Sequence, residues 1–133
     1  MTLREIKTTI SSGENQVLEF KRKVAHPEKI VREIVAFANS GGGKLFVGID
    51  DDGHIAGLKF AEEEKYILDK AIRKLCRPAI RFQSEIVKIS EKKSIIRYTV
   101  EESDKKPHYV IDSKQKGIAY VRVEDKSVQA SRE

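Results

Sequence analysis

A single cysteine, Cys76, stands in this chain of 133 residues, so no disulfide can close within it. That suits a reducing compartment, and a cytoplasmic location is the expectation. Long apolar runs are missing too. No window approaches the roughly 18 apolar residues of a membrane span, and residues 1–7 lack the apolar centre of a signal peptide. A soluble protein with no membrane partner is therefore expected. Histidine is scarce: His26, His54 and His108 lie far apart, and none makes a ligand motif with Cys76, which argues against zinc. The run Ser40-Gly41-Gly42-Gly43-Lys44 has glycines and a lysine but not the Gly-x4-Gly-Lys-Ser/Thr spacing of a phosphate loop. It also precedes a strand, whereas a phosphate loop precedes a helix. No serine or cysteine has a candidate base beside it in sequence. Repeats, low-complexity tracts and linkers are absent. Residues 1–133 read as one domain, long enough to bury a core without staples.

Charge is plentiful. Charged residues make up 35% of the chain and hydrophobic ones 39%, the balance of a folded soluble protein rather than a disordered one. The net charge of +5 is compatible with a polyanionic partner without demanding one.

The pattern is organised around residues 37–53. An apolar-periodic helix (Ile30, Val31, Ile34, Val35, Phe37, Ala38) ends at Asn39-Ser40, with Lys29, Arg32 and Glu33 on its outer face and Pro27 near its start. Three glycines break it. Leu45-Phe46-Val47-Gly48-Ile49 then reads as a core strand that delivers Asp50, Asp51 and Asp52 at its carboxyl end, a common place for chemistry. An Asp-Gly turn accounts for the same residues equally well, and 55–58 reads as the returning arm of a hairpin.

Before this stretch, Leu3, Ile6 and Ile10 mark a short amphipathic helix over 2–10. Residues 17–23 read as a strand, with Leu18 and Phe20 on one side and Val17, Glu19 and Lys21 on the other. Glu14, Glu19 and Lys21 are close enough to bind a cation and a phosphate, or to form a solvated face with its own ion pair.

After it, residues 62–76 form a helix with Tyr66, Ile67, Ala71, Ile72 and Leu75 as the expected apolar stripe, stopped by Pro78. Arg73, Lys74, Arg77 and Arg81 cluster around its end. They either complement the helix dipole or contact phosphates. Residues 82–89 and 94–100 pair as an antiparallel hairpin. Short strands follow at 107–111 and 117–123.

Four segments together resemble the Schlafen AlbA-2 domain family, in that family's order. They are Gly13-Glu14 through Leu18-Glu19-Phe20-Lys21, then Ala36-Phe37-Ala38-Asn39-Ser40-Gly41-Gly42, then Leu45 to Asp51 with Gly53 and Gly57, and last Tyr120-Val121-Arg122-Val123. The sequence departs at Glu124, where the family usually has glycine. The resemblance implies an α+β domain with a mixed β-sheet flanked by helices, and association with nucleic acid, RNA ahead of DNA. In animal Schlafen proteins the domain is an endoribonuclease acting on transfer and ribosomal RNA. Its acidic triad maps onto Glu14, Glu19 and Asp50, which would hold Mg²⁺ or Mn²⁺ for water attack on a phosphate, with Lys21 beside them. Lys21, Arg22, Lys23, Arg73, Lys74, Arg77 and Arg81 are the expected phosphate contacts.

Bacterial and archaeal members with the same residues are described only as transcriptional regulators or ATP-binding proteins. Metal-dependent RNA cleavage is the leading mechanistic expectation, and its rival is a non-catalytic DNA- or RNA-binding or transcription-regulator module. A nucleotide-responsive oligomerisation domain using Gly41 to Lys44 is a third possibility. Animal Schlafens clamp RNA between two lobes in one chain and this chain has one, so a homodimer is expected. Its contact would come from the 82–89 and 94–100 strands or from the Leu3/Ile6/Ile10 stripe.

Overall fold

Thr2 caps the first helix: its hydroxyl accepts from the Glu5 N–H while the Glu5 carboxylate accepts from the Thr2 N–H, a reciprocal capping box. The computed structural model describes residues 2–130, and this helix, α1, spans Leu3–Ser11. Strand β1 (Leu18–Lys21) follows, then α2 (Pro27–Asn39), β2 (Gly43–Val47) and α3 (Ala61–Leu75). The last third holds β3 (Cys76–Arg77), β4 (Phe82–Lys88), β5 (Ser94–Val100), β6 (Tyr109–Ile111), β7 (Gly117–Ile118), β8 (Tyr120–Val123) and β9 (Lys126–Gln129).

The main sheet runs β1-β2-β5-β4, with β1 and β2 parallel and the other neighbours antiparallel. The architecture is the expected one: α+β, a mixed sheet with helices on both faces. Strand alternation sorts the core into two layers. Leu45 and Val47 of β2, with Ile96, Tyr98 and Val100 of β5, pack against Val31, Ile34 and Val35 of α2 and Leu68 and Ile72 of α3. On the other face Phe20, Phe46 and Ile95 meet Ile6 and Ile10 of α1. Phe20 and Phe46 are wholly buried, each contributing about 1.5–3 kcal/mol of burial free energy. Two small sheets, β3-β6-β7 and β8-β9, complete the fold beside α2 and α3. Among the described residues no helix is long and apolar enough to cross a membrane.

The glycine turn between α2 and β2 is set by packing. Gly42 has φ +78°, and a Cβ there would lie 2.7 Å from the Val100 carbonyl oxygen. A Cβ on Gly43 would lie 2.4 Å from the Phe37 ring. Gly42 and Gly43 thus allow the close approach of helix end and sheet, whereas a Cβ on Gly41 would meet open space.

Several expectations fail for identifiable reasons. Residues 55–58 form no strand: Ile49–Ile55 and Leu58–Ser94 are single bridges, and the Gly48 carbonyl takes the N–H groups of Ala56 and Gly57. Tyr66 and Ile67 are exposed rather than core. The buried face of α3 instead carries Ala61, Leu68, Asp69 and Ile72. Asp69 hides that face from a hydropathy pattern, because it accepts a 2.7 Å bond from the Tyr98 hydroxyl and a 3.1 Å bond from Ser84. Burial, and then Asp69, push the Tyr98 hydroxyl well above its ordinary range, so it stays a donor. The single strand expected at 117–123 breaks at Ala119, and its halves belong to different sheets. Strand β9 was not foreseen. It follows a tight turn in which Glu124, at φ 57°, occupies the position where the family prefers glycine.

Candidate functional site

Arg122 of β8 is the centre of a polar cluster between β1, α2 and the β8–β9 hairpin. Its side chain is fully buried, and every nitrogen is spent inside the protein. Nε donates to the Gln16 carbonyl at 3.2 Å, and Nη2 to the Asn15 carbonyl at 2.6 Å. Nη1 donates to Glu19 at 3.0 Å, Glu33 at 2.9 Å and the Ser127 hydroxyl at 3.1 Å. The guanidinium lies 4.8 Å from the centre of the Phe37 ring. Ser127 in turn donates to Glu33. A buried cation needs this density of partners, since an unpaired one costs several kcal/mol.

Lys21 closes the cluster from the other side, 3.5 Å from Glu19 and 3.4 Å from Glu33. Burial works against its ammonium, yet Glu19 and Glu33 hold its pKa above the usual value. Glu14 loops back as expected: its carboxylate accepts the Phe20 N–H at 2.9 Å and hydrogen-bonds the Glu19 carboxyl. Burial first, then the Glu14 bond and the charge of Glu33, raise Glu19 to about 8, against the pull of Lys21. Arg122 pulls the same way as Lys21, through the 3.0 Å contact. The net effect on the Glu19 carboxyl is upward, toward its neutral form.

Of the expected catalytic residues, the structure brings Glu14, Glu19 and Lys21 together and leaves Asp50 out. Asp50 pairs with Arg22 at 3.0 Å. Among the described residues no group of three or more acidic, histidine or cysteine side chains could hold a metal ion. The donors are also spoken for: Glu19 by Arg122 and Lys21, Asp50 by Arg22, and Glu14 by the Phe20 backbone amide. As arranged, Glu14, Glu19 and Asp50 do not fit Mg²⁺ or Mn²⁺, which bind several ionised oxygens at once. Cys76 is no nucleophile either, because burial pushes its thiol up to about 12.

Sequence reasoning missed Glu33, Arg122 and Ser127. Glu33 was placed on the outer face of α2, but it is half-buried against Arg122. The legible signal was an arginine inside the alternating run Tyr120-Val121-Arg122-Val123, since a charge on an inward-facing strand position demands carboxylates.

The expected phosphate contacts separate into groups. Lys21 is committed to the carboxylates, Arg22 to Asp50, and Lys23 is exposed. Arg73 and Lys74 are exposed on the last turn of α3, and Arg77 follows in β3, its guanidinium held by the carbonyls of Lys74 and Cys76. Arg81 stands apart, in a recess lined also by Glu101, Glu102 and Asp104. Gly41 to Lys44 border a cavity of about 560 Å³ with Thr9, Val17 and Thr99.

The comparisons with known proteins bear on the family and the fold. The model of the family described as Schlafen, AlbA_2 matches residues 14–131. No curated protein matches the chain. Among solved structures, the chain is similar to the N-terminal domain of a RecG-related protein from Nitrosomonas europaea, with a TM-score of 0.65 and 22% identity. That likeness covers 97% of this chain and 93% of the other, and it speaks to the fold. With the family match reaching from Glu14, before β1, to just past β9, the chain belongs to the Schlafen, AlbA_2 family.

Proposed function

We propose that this domain is a nucleic-acid-binding module, for RNA ahead of DNA, in which the buried Glu–Lys–Arg cluster braces the fold and surface cations grip phosphates. The observation that carries it is the outward face of α3. Tyr66, Lys70 and Arg73 stand at i, i+4 and i+7, so they share one stripe, and Arg77 lies just beyond the helix end. Tyr66 is 67% exposed, with the Lys70 ammonium 6.0 Å from its ring centre; the Arg73 guanidinium lies 5.3 Å from that of Phe82. Cations interleaved with an exposed aromatic ring suit a backbone of phosphates with bases to stack. The RecG-related relative and the ribonuclease members of the family point to the same class of partner.

Pairing of two copies belongs to this reading, because it doubles the phosphate contacts available to one small domain. Of the surfaces expected to pair, the α1 stripe is consumed by its own core, where Ile6 and Ile10 are buried, and β5 is an inner strand. The free edge of β4 is what remains.

A salt titration with transfer RNA tests the reading. Four to six phosphate contacts give a log–log slope of roughly −3 to −5, and Lys70→Gln with Arg73→Gln should flatten it by about one to two. A slope near zero removes nucleic acid as partner. The same RNA should stay intact with Mn²⁺ or Mg²⁺ present; cleavage abolished by Glu14→Gln would make the domain an enzyme instead.

A further inference from the structure

A cavity of about 470 Å³ opens between α2, the end of α3, the β6–β7 hairpin and β8. Its apolar lining comes from Leu75, Val110 and Ile118, and its polar lining includes Arg32, Lys74 and Tyr120. Arg32 lies with its guanidinium carbon 5.6 Å from the centre of the Tyr120 ring. Neither Arg32 nor Lys74 takes part in an ion pair among the described residues.

The frame around the cavity is fixed. The Asn39 amide donates to the carbonyls of His108 at 3.0 Å and Tyr120 at 2.9 Å, and its oxygen accepts the His108 N–H at 2.8 Å. That side chain ties the end of α2 to the approach to β6 and to β8. Two acids also line the space. Asp112 is spent on its own turn, accepting the N–H groups of Lys114 and Lys116 at 2.9 and 2.8 Å. Glu28 sits in the first turn of α2 with His26 3.8 Å away. The same 112–116 turn carries two exposed lysines, so the rim is not acidic on balance.

We propose that this cavity receives an unstacked base of the strand bound along α3. A base is a flat apolar body with a polar edge, and it is attached to a phosphate. Leu75, Val110 and Ile118 offer the apolar wall. The Arg32 guanidinium offers a plane to stack on, as arginine does in single-strand recognition. Ser113 and Gln115 line the same space and can meet the base edge. Lys74 lines the cavity and is the sequence neighbour of Arg73 on the last turn of α3, so it links the opening to the cations at that helix end. The volume falls in the range of pockets that enclose small ligands. The inference rests on the nucleic-acid reading and adds to it: unpaired strands are preferred over duplex, whose bases are not available to the cavity.

The test compares a single-stranded uridine homopolymer of roughly 10 nucleotides, within the footprint of small single-strand modules, with an abasic strand of the same length. Wild-type protein should bind the base-bearing strand roughly tenfold or more tighter. Ser113→Trp, an exposed turn position where a large ring plugs the opening, should bring the ratio near one by weakening binding of the base-bearing strand. Arg32→Gln should narrow the ratio without touching the fold, as circular dichroism would verify. Equal binding of both strands by wild type overturns the cavity assignment and leaves the module intact. A preference that survives Ser113→Trp but is lost in Tyr66→Ala assigns the stacking to α3 and overturns it as well. Displacement of the strand by uridine monophosphate at comparable affinity makes the cavity a free-nucleotide site and overturns the strand assignment. No binding of either strand overturns both proposals.

Discussion

Arg122 and its carboxylates behave as one unit, and their protonation is where a single side chain becomes measurable. The Glu19 carboxyl is raised by burial to about 8, above the ordinary value it takes in the unfolded chain. The folded state therefore binds a proton that the unfolded state has already lost. The stability this supplies is complete below the unfolded pKa, falls as pH rises, and is gone once pH has passed about 8. The slope is at most about 1.4 kcal/mol per pH unit. Chemical denaturation from pH 5.5 to 8.5 should show this decline in wild type and a much flatter profile in Glu19→Gln, which keeps an acceptor for Arg122 but cannot ionise. Parallel profiles for the two proteins would mean that Glu19 is ionised throughout, with Arg122 dominating its environment. Lys21 shifts upward in the folded state, so its contribution persists across this whole window and is lost only in stronger alkali.

Among the elements, the β8–β9 hairpin depends most on polar contacts. Val123 and Val128 are exposed, so little apolar burial anchors it. What holds it are Arg122, the Ser127–Glu33 bond and the Arg122 N–H donated to the Ser40 hydroxyl at 3.0 Å. Replacing Arg122 with leucine strands Glu19 and Glu33 without a buried cation, which should cost about 3–5 kcal/mol. Hydrogen exchange should then show the 120–129 amides losing protection while those of β2 and β5 keep theirs. Uniform loss across the sheet would make the hairpin an integral part of the main core. This hairpin is also where the sequence was hardest to read. α2 was legible at both ends, because Pro27 and the Asn39-Ser40-Gly41 stop bracket an unbroken apolar period. The β4–β5 hairpin was legible from alternation. β9 is short and mostly polar, and Glu33 looks solvent-facing until a partner 89 residues away in sequence is known. Of the candidate site, the Glu14–Glu19–Lys21 grouping could be read locally, since all three belong to one strand and its approach. The exclusion of Asp50 could not, because it follows from Arg22 claiming it across the parallel pair.

For the whole molecule, the proposed pairing through β4 sets a clear expectation. Sedimentation at micromolar protein should give the mass of two chains once RNA is bound, and Ile86→Pro, which removes a backbone N–H in this edge strand, should return it to one. A single-chain mass that persists with RNA present rules out a two-copy clamp. The Arg122 cluster has a further consequence, in the order in which the protein is made. Glu19 and Glu33 leave the ribosome about a hundred residues before Arg122, the cation paired with both, does. Until then, closing α2 over β1 buries these two acids beside Lys21 but without the guanidinium that completes the cluster. Early burial of this face is thus disfavoured, and its full stability arrives with nearly the last strand to be synthesised.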